Sequence, residues 1–492
     1  MPSEIIINAP RQGISQSPLT GFGEMRNLDI SSFPGLALLN KALAAVTGTI
    51  AARINWIIRH PITTTEIYAL STAGVVYKSA DSGASWTAMT GNTQTSCHGN
   101  GLAIWKNYLI VARDAYLDVC GDGSATGIAN ANWTNDWKAI DSDVLWHPML
   151  TSKNDSKLYG GAGRFVFSLE ELTTFVPATA NTFTWTQQAL DLPTNYRIKC
   201  IEELGNNLMC GTWQGTNIYD IRVADIFPWD GSSVSFGQPI VIDDFGVHAM
   251  KNTGNSLVVL AGANGTIRRC DGANSYIIGQ MPNSLMDLTS KYLEFFPGAI
   301  CNYKEKVFFG VGYTAALGGM GVYSIQQTGQ GNILNFEHTV STGNDGTTNL
   351  MKITALLPVT KDTLLVAYLD NTTAGINLTT ATYATSYAGY FLSPFYTIGT
   401  CLKQRKITEL EWSLARPLRA NEGIKIEYRT DLTASFTEIE TWAYADVNVG
   451  AIVSKNIITE LPNDIKAAEF LQLKVSFTGT TTSPNFKNII LR

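Results

Sequence analysis

One spacing governs what this chain of 492 residues can fold into. Short apolar runs, each opened by a polar turn, recur along it with Ile67, Leu109, Leu158, Leu208, Leu257, Val307 and Leu364 at equivalent places. Successive anchors stand 42, 49, 50, 49, 50 and 57 residues apart. Four consecutive steps of 49 or 50 mark an internal repeat. Each anchor follows a first apolar run, such as Ile54-Asn-Trp-Ile, Leu102-Ala-Ile-Trp, Trp146-His-Pro-Met, Ile198-Lys-Cys-Ile, Val247-His-Ala-Met, Ala299-Ile-Cys-Asn and Ile353-Thr-Ala-Leu. A Gly-rich link and a third run come after most of them, as at Gly74, Arg164, Thr216-Asn-Ile-Tyr, Gly265 and Gly321. A unit of about 50 residues with three or four short strands cannot bury both faces of its own sheet, so such units stack radially. Seven anchors predict an all-β chain built on a seven-bladed β-propeller over residues 41–388.

Composition agrees and narrows the function classes. Gly 43, Tyr 19 and Trp 11 favour strands and turns over helices. Charged residues are only 15% of the chain, against ~25% on average, and mean hydropathy is +0.02. No run approaches the ~18 apolar residues of a membrane helix, and the opening residues lack the basic and apolar segments of a secretory signal. The apolar excess is therefore expected in a large core or in subunit interfaces. A net charge of −6 argues against a protein that grips nucleic acid by its phosphates. Seven scattered cysteines without Cys-x-x-Cys read as reduced core thiols, which points to synthesis in a cytoplasm.

One loop supports the propeller independently. Ser79-Ala-Asp81-Ser-Gly83-Ala-Ser85-Trp86 is similar to the Asp-box turn of sialidase-like propellers. In such a hairpin Asp81 accepts backbone N–H bonds, Gly83 takes a positive φ, and Trp86 anchors the strand in the core. Ser79, Asp81, Gly83, Ser85 and Trp86 are therefore expected to shape a peripheral turn and to do no chemistry.

The two ends read differently. From about residue 390, apolar residues alternate at Leu410, Trp412 and Leu414, at Ile424, Ile426 and Tyr428, and at Leu471, Leu473, Val475 and Phe477. That period of two predicts a β-sandwich over residues 389–492. Residues 1–40 are dense in Gly, Pro and Ser, with one plausible strand over Gly21–Ile30. They read as an extended N-terminal arm ordered by docking on a neighbour. Leu36–Leu39 is the candidate for a last strand that closes the propeller.

Catalytic signatures are lacking. The five histidines (His60, His98, His147, His248 and His338) form no zinc spacing. His147 and His248 fall on first strands and read as ordinary strand histidines. The carboxylate pairs Glu202-Glu203 and Asp243-Asp244 are adjacent in strands, so their side chains diverge and cannot flank one glycosidic bond. Asp114, Asp118, Asp122 and Gly123, and likewise Asn344-Asp345-Gly346, read as solvated turns rather than calcium sites. No catalytic, cofactor or metal residue is assigned.

The order of parts resembles the structural tail proteins of tailed bacteriophages, including the propeller-bearing nozzle proteins of short-tailed phages. It rests on a punctuated start with Arg26-Asn-Leu-Asp-Ile30 and Pro34-Gly35, then a propeller, then Lys406-Ile-Thr-Glu-Leu-Glu-Trp-Ser-Leu-Ala-Arg-Pro-Leu418 and Ile424-Lys-Ile-Glu-Tyr-Arg-Thr430. The resemblance implies a non-enzymatic virion subunit, made in the host cytoplasm. It would assemble with itself, a hexameric ring being favoured, and with other tail proteins around a passage for DNA. A carbohydrate- or receptor-binding propeller and a sialidase-like glycosidase are the competing classes.

Overall fold

The computed structural model describes residues 5–8, 24–33, 35–92, 98–142, 145–214, 224–281, 293–314, 319–328, 331–340, 350–383, 385, 388–397, 399–400, 403–404, 408–444, 457–462, 465, 468 and 470–491. The loop Asn344-Asp345-Gly346, the run Thr216–Tyr219, and Cys97 and Cys401 lie outside them. No helix among the described residues is long and apolar enough to cross a membrane.

Five four-stranded antiparallel sheets follow one another, each with its strands in chain order. The first is Ile54–Arg59, Ile67–Ser71, Val76–Ser79 and Thr87–Ala88. The second is Gly101–Trp105, Tyr108–Ala112, Tyr116–Cys120 and Trp133–Ala139. Met149–Thr151, Leu158–Ala162, Phe165–Glu171 and Phe183–Asp191 make the third. Tyr196–Leu204, Asn207–Gln214, Ala224–Trp229 and Ile240–Ile242 make the fourth, and Val247–Asn252, Leu257–Ala261, Thr266–Cys270 and Ser275–Gln280 the fifth. In a sixth, Ile300–Tyr303 and Leu293–Glu294 both pair with Lys306–Tyr313, and Gly321–Thr328 and Gly331–His338 follow. In a seventh, Met351–Thr360, Thr363–Asp370 and Thr373–Tyr383 precede Lys41–Ala45.

The chain divides into two compact units, residues 45–321 with 344–378, and residues 1–44 with 322–343 and 379–492. Within the first unit the sheets stack face to face, which is the β-propeller architecture. Their second strands are buried on both faces, as in Ile67–Ser71, Tyr108–Ala112 and Leu257–Ala261, whereas outer strands such as Trp133–Ala139 and Ser275–Gln280 are largely wet. Alternation along each second strand decides which neighbour it meets. Tyr68 and Leu70 join Leu109 and Val111 of the second sheet in one core cluster. Ile110 and Ala112 join Leu158 of the third sheet, Tyr159 joins Leu208 of the fourth, and Met209 joins Leu257 of the fifth. Ile67 and Ala69 share a cluster with Leu365 and Ala367 of the seventh sheet. Four anchors, Leu109, Leu158, Leu208 and Leu257, thus pack toward the sheet before their own, and Ile67 packs toward the seventh. All seven are buried.

Two expectations about individual strands need correction. The third strand of the fourth sheet is Ala224–Trp229, whose Pro228 stands past Ile226, the last residue paired with the fourth strand, so no ladder bond toward that strand is lost. The strand beside Thr373–Tyr383 is Lys41–Ala45, not Leu36–Leu39. Val46 N–H donates to Ile376 O at 3.1 Å, and Thr380 Oγ1 donates to Ala42 O at 3.1 Å. Lys41–Ala45 buries only Leu43 deeply and suits a half-wet edge. Leu38–Leu39 instead pairs with Leu28–Asp29, and Ala37 and Leu39 are buried.

Among the described residues the second unit contains two larger sheets besides short two-stranded ones. One runs Ile5–Asn8, Phe486–Leu491, Glu409–Leu414, Ile457–Glu460; the other runs Glu24–Arg26, Gly389–Leu392, Phe470–Thr478, Gly423–Arg429, Thr437–Ala443. Phe486 of the first sheet packs on Phe391 and Phe477 of the second, and Trp412 packs on Trp442 with ring centroids 4.6 Å apart. The described part of residues 1–40 is therefore not an arm reaching away from the chain. Ile5–Asn8 and Glu24–Arg26 complete sheets of their own chain, and Met25, Leu28 and Ile30 are fully buried. Asn335 Nδ2 donates to Ser31 Oγ, and Asn40 Nδ2 to the buried carboxylate of Glu337, which fixes this segment on the hairpin of residues 321–338. Gly35, at φ 85°, lies in the turn that joins Leu28–Asp29 to Leu38–Leu39.

Candidate functional site

The Asp-box residues form a turn closed on itself. Ser79 Oγ donates to Asp81 Oδ1 at 2.8 Å, Ser85 N–H donates to the same oxygen at 2.9 Å, and Ser85 Oγ donates to Oδ2 at 2.5 Å. Gly83, at φ 91°, donates its N–H to Ser79 Oγ, and Trp86 Nε1 donates to Gly83 O. These bonds, with that from the Ser85 hydroxyl the largest, hold the Asp81 carboxyl below its usual range. Trp86 is buried in the cluster shared with the seventh sheet.

Tighter aspartate-closed turns, in which the carboxylate accepts from residues two or three further on rather than four, recur where the sequence motif does not. Asp122 accepts from the N–H and hydroxyl of Ser124, Asp230 from Ser232 and Ser233, and Asp271 from Ala273 and Asn274, each after the third strand of its sheet. The legible signal is an aspartate 13 or 14 residues after the anchor with a glycine one or two residues on, as in Asp81, Asp122 and Asp271. Asp114, Asp118 and Asp122 do not converge. Asp114 meets His98, Asp118 pairs with Arg113 in the core, and Asp122 closes its own turn. Among the described residues no group of three or more His, Cys, Asp or Glu is placed to hold a metal ion.

The chemistry-bearing side chains that do converge come from the inner edges of the sheets, and sequence reasoning missed most of them. Lys199, on the first strand of the fourth sheet, donates from Nζ to His248 Nδ1 of the fifth at 2.7 Å and to Phe295 O at 3.3 Å. The same ammonium lies 5.4 Å from the ring centroid of Trp146, before the third sheet. Phe296 packs on Trp146 and lies under the Arg53 guanidinium at the start of the first sheet. Glu294 pairs with Lys352 of the seventh. The segment Glu294–Phe296 thus touches side chains from sheets one, three, four, five and seven, and its two phenylalanines are buried. Its contacts lie along the inner edges of those sheets. His147 is separate: it is fully buried, with Nδ1 2.9 Å from Gly161 O.

Burial dominates the electrostatics here. It pushes Lys199 down to about 8, against smaller opposing effects of Cys200 and Glu294, and holds His248 well below its usual value, with Lys199 adding to the shift. Folded protein therefore sheds the Lys199 proton near pH 8, while unfolded chain keeps it to about 10.4, so this group makes stability rise with pH across that window. The buried thiols of Cys200, Cys210 and Cys301 act the other way above about pH 8.5. A comparison with Lys199→Met isolates the lysine. Urea unfolding is expected to show the variant more stable at pH 7 by about 3 kcal/mol, the worth of a shift of this size, with the gap closing by pH ~10.4. A gap independent of pH would show that Lys199 is not the group that titrates.

No family model matches the chain, and no curated protein matches it. Solved structures similar to it include β-propeller domains, at low identity. The WD40 β-propeller domain of Doa1 aligns at 9% identity and a TM-score of 0.45, covering 70% of this chain and 97% of that one. The β-propeller domain of Myceliophteria thermophila Cps50 (Swd1) aligns at 10% and 0.42, covering 68% and 99%. YCF48 bound to D1 peptide aligns at 12% and 0.43, covering 70% and 97%.

Proposed function

We propose that the chain is a non-enzymatic structural subunit of a bacteriophage tail, built as a closed seven-bladed propeller joined to a two-layer β-sandwich. The blade count is supported by the order of the sheets and by the shared core of the first and seventh. The sandwich is supported by the aromatic contacts of Phe486 and Trp412 across two sheets. The tail assignment rests on the resemblance in layout and sequence given above.

The observation that carries the non-enzymatic reading is that the charged side chains at the inner edges of the sheets are bonded to one another and packed on buried rings. A propeller enzyme presents polar side chains to a substrate at the mouth of its channel. Here Lys199 is bonded to His248, Glu294 is paired with Lys352, and Phe295 and Phe296 are buried beside them. That leaves outer surfaces and turns for function. It also means that DNA would run along a passage lined by several copies, not through the centre of one. Native mass spectrometry and electron-microscopy class averages of the purified protein test this reading. Rings of several copies, six being favoured, are expected. A monodisperse monomer that neither self-assembles nor joins tail particles would overturn it.

A further inference from the structure

The turns between first and second strands of the third, fourth, fifth and sixth sheets line a cleft of about 650 Å³, within the ~300–1,000 Å³ range of ligand sites. Its wall is stitched from sheet to sheet. Lys153 N–H donates to both carboxylate oxygens of Glu203 at 3.0 and 3.2 Å, and Asn154 Nδ2 donates to Gly205 O at 3.0 Å. Lys251 Nζ meets Glu202 Oε2 at 2.7 Å, and Asn302 Nδ2 donates to Asn252 O at 2.7 Å. Each bond joins residues 49 to 51 apart, so the repeat itself builds a rigid surface before any ligand arrives.

The charges along this wall are not all spent. The central Lys251 and Glu202 neutralise each other, whereas Lys153 and Glu305 are exposed and have no side-chain partner among the described residues. Lys153 belongs to the third sheet and Glu305 to the tight turn of the sixth, so they lie at opposite ends of a run of four sheets. Between them Asn154, Asn252 and Asn302 each spend one amide N–H within the wall and Asn252 also accepts from Gly254, which leaves the second amide N–H of each and the side-chain oxygens of Asn154 and Asn302 to meet the C=O and N–H of a peptide main chain. No aromatic ring lines the cleft, so it offers no stacking face for a sugar or a base.

We propose that this cleft binds an extended polar polypeptide segment with an acidic side chain at one end and a basic one at the other. The acidic side chain meets Lys153 and the basic one Glu305. The inference is independent of the tail assignment, because it uses only the cleft.

The test uses the full chain and fluorescein-labelled, end-capped nonapeptides of Ser, Thr and Gly. They carry one Asp and one Lys near opposite ends (in both orders), two Asp, two Lys, or no charge; a neutral tetrasaccharide is the further ligand. Fluorescence anisotropy is expected to show at least one Asp/Lys peptide binding tenfold or more tighter than the uncharged one, and more weakly at high salt. Lys153→Glu should lose at least tenfold for that peptide and gain affinity for the two-Lys peptide. Glu305→Lys should gain affinity for the two-Asp peptide. Both residues lie in exposed turns, and unchanged melting curves will confirm that the variants fold. No peptide binding at millimolar concentration, binding indifferent to both reversals, or binding of the tetrasaccharide alone would each overturn the proposal.

Discussion

Deleting residues 1–35 is expected to destabilise the second unit by roughly 5–9 kcal/mol, on the scale of a whole domain's stability of ~5–15 kcal/mol. The deletion strips out Met25, Leu28 and Ile30, all fully buried, and each such side chain contributes about 1.5–3 kcal/mol. It also removes the edge strands Ile5–Asn8 and Glu24–Arg26, which leaves Phe486–Leu491 and Gly389–Leu392 with unpaired backbone on one side. Asn27, whose side chain bonds Ala388 O and the N–H of Thr339, is lost as well. Limited proteolysis with mass mapping is the direct measurement. Cleavage should concentrate in residues 389–492, while Lys41–Ala45 remains to hold the seventh sheet. A truncated chain as resistant as the intact one would show that these strands add nothing.

Leu257→Ala is expected to cost about 2–5 kcal/mol, the range for leucines deleted from tight cores. Leu257 is fully buried and packs in a cluster drawn from both the fourth and fifth sheets, so the gap cannot be closed by one sheet shifting alone. The shallower Leu204, which only borders that cluster, should lose less on the same change. Chemical unfolding of the two variants checks the order, and an equal loss for both would undo the assignment of Leu257 as an inter-sheet anchor.

The anchors were legible because a residue that must meet the preceding sheet once per repeat leaves a fixed spacing in the chain. Leu158, Leu208 and Leu257 stand 50 and 49 residues apart and take equivalent places. The Asp81 turn was legible for another reason: every bond within it is local. The central cluster was not legible. Lys199 sits in a strand between Ile198 and Cys200, and nothing nearby says that its side chain points toward Trp146 and Phe295 rather than water. Phe295 and Phe296 lie in a link between repeats, where periodicity carries no information. Of the N-terminal strands, the region of Glu24–Arg26 and Leu28–Asp29 was legible as a strand, but Ile5–Asn8 was missed because four residues at a sheet edge are too few to display alternation.

The shared core of the first and seventh sheets has a consequence for the order in which the molecule forms. Ile67 and Ala69 emerge early from a ribosome, yet Leu365 and Ala367, which cover them, follow roughly 300 residues later. At ~5–20 residues per second that is a wait of about 15–60 s. During it the nascent chain carries an apolar sheet face with no partner, a surface on which chaperones or sister chains can settle. Contacts of such long sequence separation also slow the final step. Strain on this step will appear first as misfolding during synthesis, in variants whose finished structure is scarcely weakened.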